Sequence, residues 1–448
     1  MTARVLREPA RSVPVIGRYD VVVLGGGPAG VAAAVSAARA RARVLLVEAT
    51  GSLGGMSTGG LVPVFAPLSS TGRRPAVKGI ALEIVWRLRR LGGVGRNTDT
   101  LAWIPIDPEK LKLVLDRLTA EAGVSVLYFT LAADVRRRGR RITHVLLESK
   151  AGRQAVAAAA FIDATGDADV AARAGAPFDK GDDRGRMQAA GLCYMVAGVD
   201  MRAYGRFVQS IPDRAAWWRR LEDSGALPRF PKTEYRGLWP HELSRGVGSI
   251  NFAHLFDVDG CNPKDLSRAM RDGRAMAHAF IDYARRKLPG MKNARIVATA
   301  ALPGIRETRR IRGRRRLTLD DFRSARHSDD DVACYDYPVD VHNASRSARE
   351  VKRFQKDFEQ LRLAEGKTYG IPFGCLLPAG LDNLAVAGRS LSADRAVHGS
   401  VRVMPACFAT GQAAGLAAAM AAKKNIPLHK VNVAALRRRL AQAGVRLA

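Results

Sequence analysis

Tyr19-Asp20-Val21-Val22-Val23-Leu24-Gly25-Gly26-Gly27-Pro28-Ala29-Gly30 runs from an apolar strand into a glycine turn. An alanine-rich helix and a second strand, Arg43 to Val47, carry the chain on to Glu48. Strand, glycines, helix, strand and acid in that order read as a dinucleotide-binding βαβ unit. Gly25 permits the tight turn out of the strand Asp20 to Leu24, Gly27 lets the backbone approach a pyrophosphate, and Gly30 lets the helix pack on the sheet. Pro28 and Ala29 open the helix, whose free N–H groups and dipole form an anion site. Glu48 follows the glycines by about 20 residues, where a carboxylate can accept both hydroxyls of an adenosine ribose. Glycine-rich turns are common, so the specificity lies in the agreement of all these parts.

Outward from this unit, the glycine-rich stretch Gly51 to Gly60 reads as a loop that follows the dinucleotide towards its reactive end. Asp107-Pro108 opens a helix to about Ala122, and a strand, Ser125 to Phe129, follows. The segments Ala132 to Arg137, Ile142 to Ser149 and Gln154 to Ala159 suggest an antiparallel meander. Phe161 to Asp169 is a strand-to-turn, and Leu384 to Ala387 is a late apolar strand ending in Gly388-Arg389. Pro405 starts a helix of small residues reaching about Ala422. Between these lies a stretch of polar loops with one long helix, Pro263 to Leu288, N-capped by Asn262. The expected fold is α/β: a Rossmann-like nucleotide-binding domain with a parallel central sheet and an antiparallel meander, plus an inserted α+β substrate domain. The expected division is an N-terminal arm at 1–18, a first nucleotide-binding part at 19–175, a substrate or cap domain at 176–368, and a second nucleotide-binding part at 369–448.

With 448 residues, 47% of them hydrophobic, the chain can bury a large core. No apolar run reaches the roughly 18 residues of a membrane span. Residues 1–17 lack the apolar core of a signal peptide, so the expected location is the cytoplasm. The five cysteines are scattered, which argues against a disulfide framework and against a metal or iron–sulfur site. The net charge of +30 gathers in runs at Arg136 to Arg141, Arg309 to Arg316 and Arg437 to Arg439. Such runs can bind nucleic acid or an anionic membrane, or can be solvated surface. The second reading is favoured, because the runs lack interleaved aromatics and only 6% of the residues are aromatic.

Further matching stretches are Glu8-Pro9-Ala10-Arg11, Gly54-Gly55-Met56, Asp107-Pro108-Glu109, Ile162 to Asp169, Gly304 to Arg310, Ile371-Pro372 with Leu377-Pro378, and Ala387-Gly388-Arg389 running on to Pro405. On these the chain resembles bacterial FAD-dependent oxidoreductases of the glutathione-reductase-type superfamily, remotely like fumarate reductase flavoproteins. The resemblance implies FAD lying extended, touched by Gly55, Met56 and Ser57 after the fingerprint, with Ala132 against the adenine. It also implies contacts at Ala164, Thr165 and Gly166, at Gly388 and Arg389, and at Val403 and Met404, where a helix N-terminus would face the flavin's pyrimidine edge. No histidine lies between Gly54 and Gly60, so the FAD is expected to be noncovalent. No cysteine pair follows Glu48, no second glycine fingerprint marks an NAD(P)H domain, and Gly388-Arg389 stands where class A hydroxylases carry Gly-Asp. The implied activity is hydride transfer between FAD and a small organic substrate, anionic or neutral; the external electron acceptor is left open, and a homo-oligomer fits.

For the reaction itself four residues are candidates. His398 can give or take a proton or simply order its loop. Arg306 and Arg402 can clamp a carboxylate or pair with acids such as Glu307. Tyr369 can line the flavin ring or pack under it. His241 and His254 have no motif around them and read as structural. Two other functions stay open: a flavoprotein acting on nucleic acid, as tRNA-modifying enzymes do, and a subunit that lends its flavin to an electron-transfer complex.

Overall fold

The computed structural model describes residues 6, 8–70, 74–95, 101–345, 347 and 361–447. Its centre is the strand Val15–Leu24, whose last four side chains are fully buried because parallel strands flank it on both sides. Val44–Val47 pairs on one side and Gly152–Asp163 on the other. Ser125–Leu127 continues the sheet beyond Val44–Val47, also in parallel. The first strand begins five residues before Asp20, since its exposed half still finds a ladder along Ala155–Ala158.

Gly152–Asp163 unites two expected elements, the last meander strand and the strand at Phe161. Its first half pairs antiparallel with Arg141–Ser149, which in turn pairs with Leu131–Arg138. Its last residues, Phe161 to Asp163, pair in parallel with the late strand Leu384–Val386. The five parallel strands therefore stand in the order third, second, first, fourth, fifth, as in a nucleotide-binding doubly wound sheet. The order reverses between Leu24 and Asp163, so the crevice opens there, at the carboxyl ends of both strands.

Two helices cover the crevice side. The fingerprint helix, Pro28–Arg39, and the late helix, Met404–Lys424, pack on each other nearly backbone to backbone. A Cβ added at Gly411 would stand 2.1 Å from the Ala29 carbonyl oxygen, and one at Gly415 would stand 2.1 Å from that of Ala33. Ser36 Oγ donates to the Gln412 carbonyl at 2.8 Å, fixing the pair along its length. The late helix is apolar all round because protein surrounds it, and among the described residues no single helix is long and apolar enough to cross a membrane.

The middle of the chain builds a five-stranded antiparallel sheet in which Ala190–Ala197 lies between Val247–Leu255 and Arg295–Thr299. The helix Pro263–Lys287, capped by Asn262 Oδ1 accepting from Lys264 N–H at 3.0 Å, seals one face through Met276, Ala277 and Phe280. Trp218 fixes this second core, with ring centroids 5.0 Å from Phe280 and 5.6 Å from Tyr235. The sheet also meets the glycine-rich loop: Ser249 Oγ donates to the Leu61 carbonyl at 3.1 Å, and Ala301 N–H to that of Gly59 at 2.8 Å. Residues 317–341, grouped by sequence with the middle segment, place Leu317, Phe322, Val332 and Tyr335 in the core of the fingerprint helix instead. Strand pairing explains this, because Asp331–Tyr335 pairs with Tyr369–Pro372.

Candidate functional site

The fingerprint turn is built around space it leaves empty. Gly25 has φ +97°, and a Cβ there would meet the Ala164 carbonyl oxygen at 2.5 Å. At Gly30 a Cβ would stand 1.7 Å from the Gly25 oxygen. Gly27, by contrast, has nothing within 4 Å of where its Cβ would be, so the turn is tight underneath and open on top. No side chain caps the helix at Gly27, and no acid lies in its first turn. The free N–H groups face an open space, which fits a pyrophosphate. Gly55 lies alongside, its would-be Cβ 3.1 Å from Gly27 Cα, and Met56 and Ser57 form the short turn that follows, with Ser57 Oγ donating to the Gly54 carbonyl at 2.7 Å.

Glu48 is buried at the rim. One carboxylate oxygen accepts from Gly26 N–H at 2.6 Å, and the other from Thr50 N–H and Oγ at 2.8 Å each. These bonds hold the carboxylate in one orientation beside the turn. Thr130 N–H donates to the Glu48 carbonyl at 3.0 Å, which brings the buried Ala132, two residues on, to the same end of the crevice.

The Ala164-Thr165-Gly166 turn is organised by Asp163, whose carboxylate accepts from Thr165 N–H, Thr165 Oγ and Ala171 N–H at 3.1, 2.7 and 2.9 Å. Burial pushes the Asp163 carboxyl above its ordinary range. The Arg389 side chain donates to the carbonyls of Gly166 and Ile305 and to Asp167 Oδ1 at 2.7 Å. Its role is to tie the late strand to the middle unit. Gly388, with φ +79°, sits where a Cβ would be 2.9 Å from Ala29 Cβ and 3.6 Å from Cys407 Sγ. It thus joins the starts of the fingerprint and late helices. Val403 caps the late helix without a side-chain bond and Pro405 lies in its first turn, leaving a second uncapped helix N-terminus at Met404.

The four reaction candidates separate. Tyr369 is fully buried, its hydroxyl 2.6 Å from Ser400 Oγ and its ring against Phe322, so it packs in the core. His398 is also fully buried. Its Nε2 donates to the Arg389 carbonyl at 2.7 Å, and burial, with Arg310 and Arg402 nearby, pushes its pKa well below the usual range. Neutral and inward-facing, it orders the turn, and its Nδ1 has no partner among the described residues. Arg306 and Arg402 come together. Arg306 donates to the Ala189 carbonyl, has no carboxylate partner among the described residues, and is pushed down to about 10 by burial and by the Arg402 charge. Arg402 holds Asp340 through its carbonyl at 2.8 Å and its carboxylate at 3.2 Å. Glu307 pairs elsewhere, fully buried between Arg310 at 3.1 Å and Arg395 at 2.9 Å.

Sequence reasoning missed the neighbours of this arginine pair. His254 and His342 meet at 3.0 Å, Gln188 Oε1 accepts from His342 N–H at 2.9 Å, and Gln188 N–H donates to Glu307 at 2.6 Å. They come from elements 88 residues apart in the histidine pair, so no local motif could have joined them.

A family model described as FAD dependent oxidoreductase matches residues 20–440. Among curated proteins, digeranylgeranylglycerophospholipid reductase 2 of Methanothermobacter thermautotrophicus is 31% identical over 234 residues, 49% of this chain and 55% of that protein. The soluble pyridine nucleotide transhydrogenase of a Marinomonas species is 60% identical over 40 residues, 9% of each chain. The matches thus span about half the length of the first relative and about a tenth of the second. A geranylgeranyl bacteriochlorophyll reductase-like structure from Thermoplasma acidophilum aligns with TM-score 0.48 at 14% identity, over 96% of this chain and 84% of that one.

Proposed function

Because the chain belongs to the FAD-dependent oxidoreductases, we propose that it transfers a hydride between a small anionic organic substrate and noncovalently bound FAD, in the cytoplasm. Bound FAD supplies a two-electron acceptor for a substrate held against its ring. The open crevice at Gly27, the ribose-side carboxylate of Glu48 and the uncapped helix at Met404 are the groups that would hold it.

The observation that carries the substrate class is Arg306. A guanidinium 9% exposed, beside a second guanidinium and without a carboxylate partner among the described residues, is costly unless an anion arrives. A substrate carboxylate or phosphate is that anion, with Arg306 and Arg402 as the clamp. The arginine run at 309–316 supports a small substrate over a nucleic acid. Arg309, Arg310, Arg312, Arg315 and Arg316 all pair with acids of the protein, Asp169, Glu307, Asp179 and Asp330.

The test is an anaerobic screen of organic acids and their neutral amides or esters, read as bleaching of the flavin band near ~450 nm. Acids should bleach it and their neutral analogues should not. Arg306→Met should raise KM for the active acid by about tenfold or more, as expected for a lost charge-assisted pair. A protein that binds no FAD, or that reacts equally with neutral analogues, would sink the proposal.

A further inference from the structure

Next to the arginine pair, four side chains from three stretches of the sequence stand in one row, two of its gaps hydrogen-bonded and the third at ion-pair distance. Glu234 Oε2 lies 3.2 Å from His254 Nδ1, and His254 Nε2 lies 3.0 Å from His342 Nδ1. His342 Nε2 lies 3.4 Å from Asp340 Oδ1, and Asp340 contacts Arg402 at 3.2 Å. The row is sealed at His254, whose side chain is 4% exposed, and opens towards both ends, with 25% for His342, 30% for Glu234 and 38% for Asp340. The charged groups around the two rings are Arg236, Arg306 and Arg402 together with the two carboxylates. Burial first, then these cations, pushes His254 down to about 4 and His342 well below its usual range, so both rings are neutral at pH 7.

Counting protons shows what such a row can do. It has three gaps, and each needs one proton to be a hydrogen bond rather than two lone pairs facing each other. Two neutral imidazoles bring only two. The vacancy belongs at one end or the other, because a vacancy in the middle would set ring against ring and leave both outer bonds made with nothing to pass. With both rings protonated on Nδ1 the vacancy lies at Asp340; with both on Nε2 it lies at Glu234. Moving it from one end to the other carries one positive charge along the row.

We propose that Glu234, His254, His342 and Asp340 are a proton relay, which takes the proton released beside Arg306 and Arg402 and delivers it to solvent at Glu234. The proposal rests on the hydride-transfer reading above. Removing a hydride from a substrate of the form H–C–X–H, with X oxygen or nitrogen, breaks the C–H bond together with its electron pair, forms C=X and frees the proton on X. FAD takes the hydride. The proton adds at His342 Nε2, by way of Asp340; the Nδ1 proton of His342 passes to His254 Nε2; the Nδ1 proton of His254 passes to Glu234 and on to water. One proton enters, one leaves, and both rings change tautomer. A proton entering at Glu234 restores both tautomers and emerges at Asp340, where the reverse reaction, hydride return to C=X, takes it up on X. Asp340 and His342 stand at the reacting end, while His254 and Glu234 act through them.

The tautomers test this without any substrate. In FAD-bound protein labelled with 15N-histidine, long-range proton–nitrogen spectra should show two neutral rings in the same tautomer, assigned by His254→Gln and His342→Gln. Glu234→Ala should drive both rings to Nε2–H, and Asp340→Ala should drive both to Nδ1–H, each variant keeping its flavin absorbance. Rings in opposite tautomers, a charged ring at pH 7, or a response confined to the ring next to the substitution would overturn the relay. With an acid found by the screen, His254→Gln keeps a donor and an acceptor but cannot pass a proton. It should slow flavin reduction at least tenfold, leave KM within twofold and shift the pH profile of the rate. An unchanged rate and profile would overturn the relay while leaving hydride transfer standing. Bleaching by no acid at all would overturn the function proposed above, and the tautomers would still decide the relay.

Discussion

Two buried residues adjacent in sequence show how differently one charge can be used. Glu307 is wholly enclosed and satisfied by Arg310, Arg395 and Gln188 N–H, whereas among the described residues Arg306 bonds only to a backbone carbonyl. Removing one partner of a buried ion pair strands the others, at a cost of about 3–5 kcal/mol. Glu307→Gln should therefore lower the thermal midpoint clearly. Arg306→Met should change it by no more than about 3 °C, because the lost bond to Ala189 is offset by the relief of burying an unpaired cation. Calorimetry on the two variants checks both, and a large loss in Arg306→Met would show that Arg306 is a structural residue. Glu48 is a third case. Its carboxylate is already oriented by Gly26 and Thr50, so Glu48→Ala should weaken FAD binding by about tenfold or more, read by flavin fluorescence titration.

Among elements, the helix pair at the crevice depends most on residue size. Gly411 and Gly415 let the late helix approach the fingerprint helix until would-be methyl groups overlap the Ala29 and Ala33 carbonyls. Gly415→Ala should cost about 1–3 kcal/mol or more, since those oxygens belong to a buried backbone that cannot step aside. Loss of FAD on dilution, at temperatures where the fold persists, is the expected companion; a variant with unchanged midpoint and flavin content would contradict the packing. These elements were legible in sequence because each signal is local: a strand, then glycines, then a helix start. Gly25, Gly27, Gly30 and Glu48 needed no tertiary information. What escaped was set by partners far along the chain. The Arg389 side chain finds its partners at Gly166, Asp167 and Ile305, in two other segments that nothing near it in sequence announces. The contact of His254 with His342 escaped because nothing near either residue in sequence hints at the other. The long strand Gly152–Asp163 was read as two because its pairing partner changes along its length, which only the sheet reveals.

At the scale of the molecule, the buried imidazoles set a pH response. His241, His254, His342 and His398 all have pKa values pushed down by burial, the first two to about 4. Between those values and the unfolded value of about 6.5, the unfolded chain binds more protons than the folded one, so stability rises with pH across that window. It is complete above about 6.5 and is lost as pH falls towards 4, each such group contributing up to about 1.4 kcal/mol per pH unit. Asp163, whose carboxyl is pushed up, runs the other way but is a single group. Urea unfolding at pH 7.5 and at pH 5 should give a markedly lower midpoint in acid, and His398→Asn should flatten the difference; equal midpoints would contradict the neutral assignment. The contact of Ala29 and Ala33 with Gly411 and Gly415 also has a meaning in time. During synthesis the fingerprint helix leaves the ribosome long before residues 404–424 exist, so its alanine face must wait, exposed, for a partner nearly 380 residues away. The nucleotide crevice can close only once residues 404–424 have been made, so FAD binding must follow their synthesis.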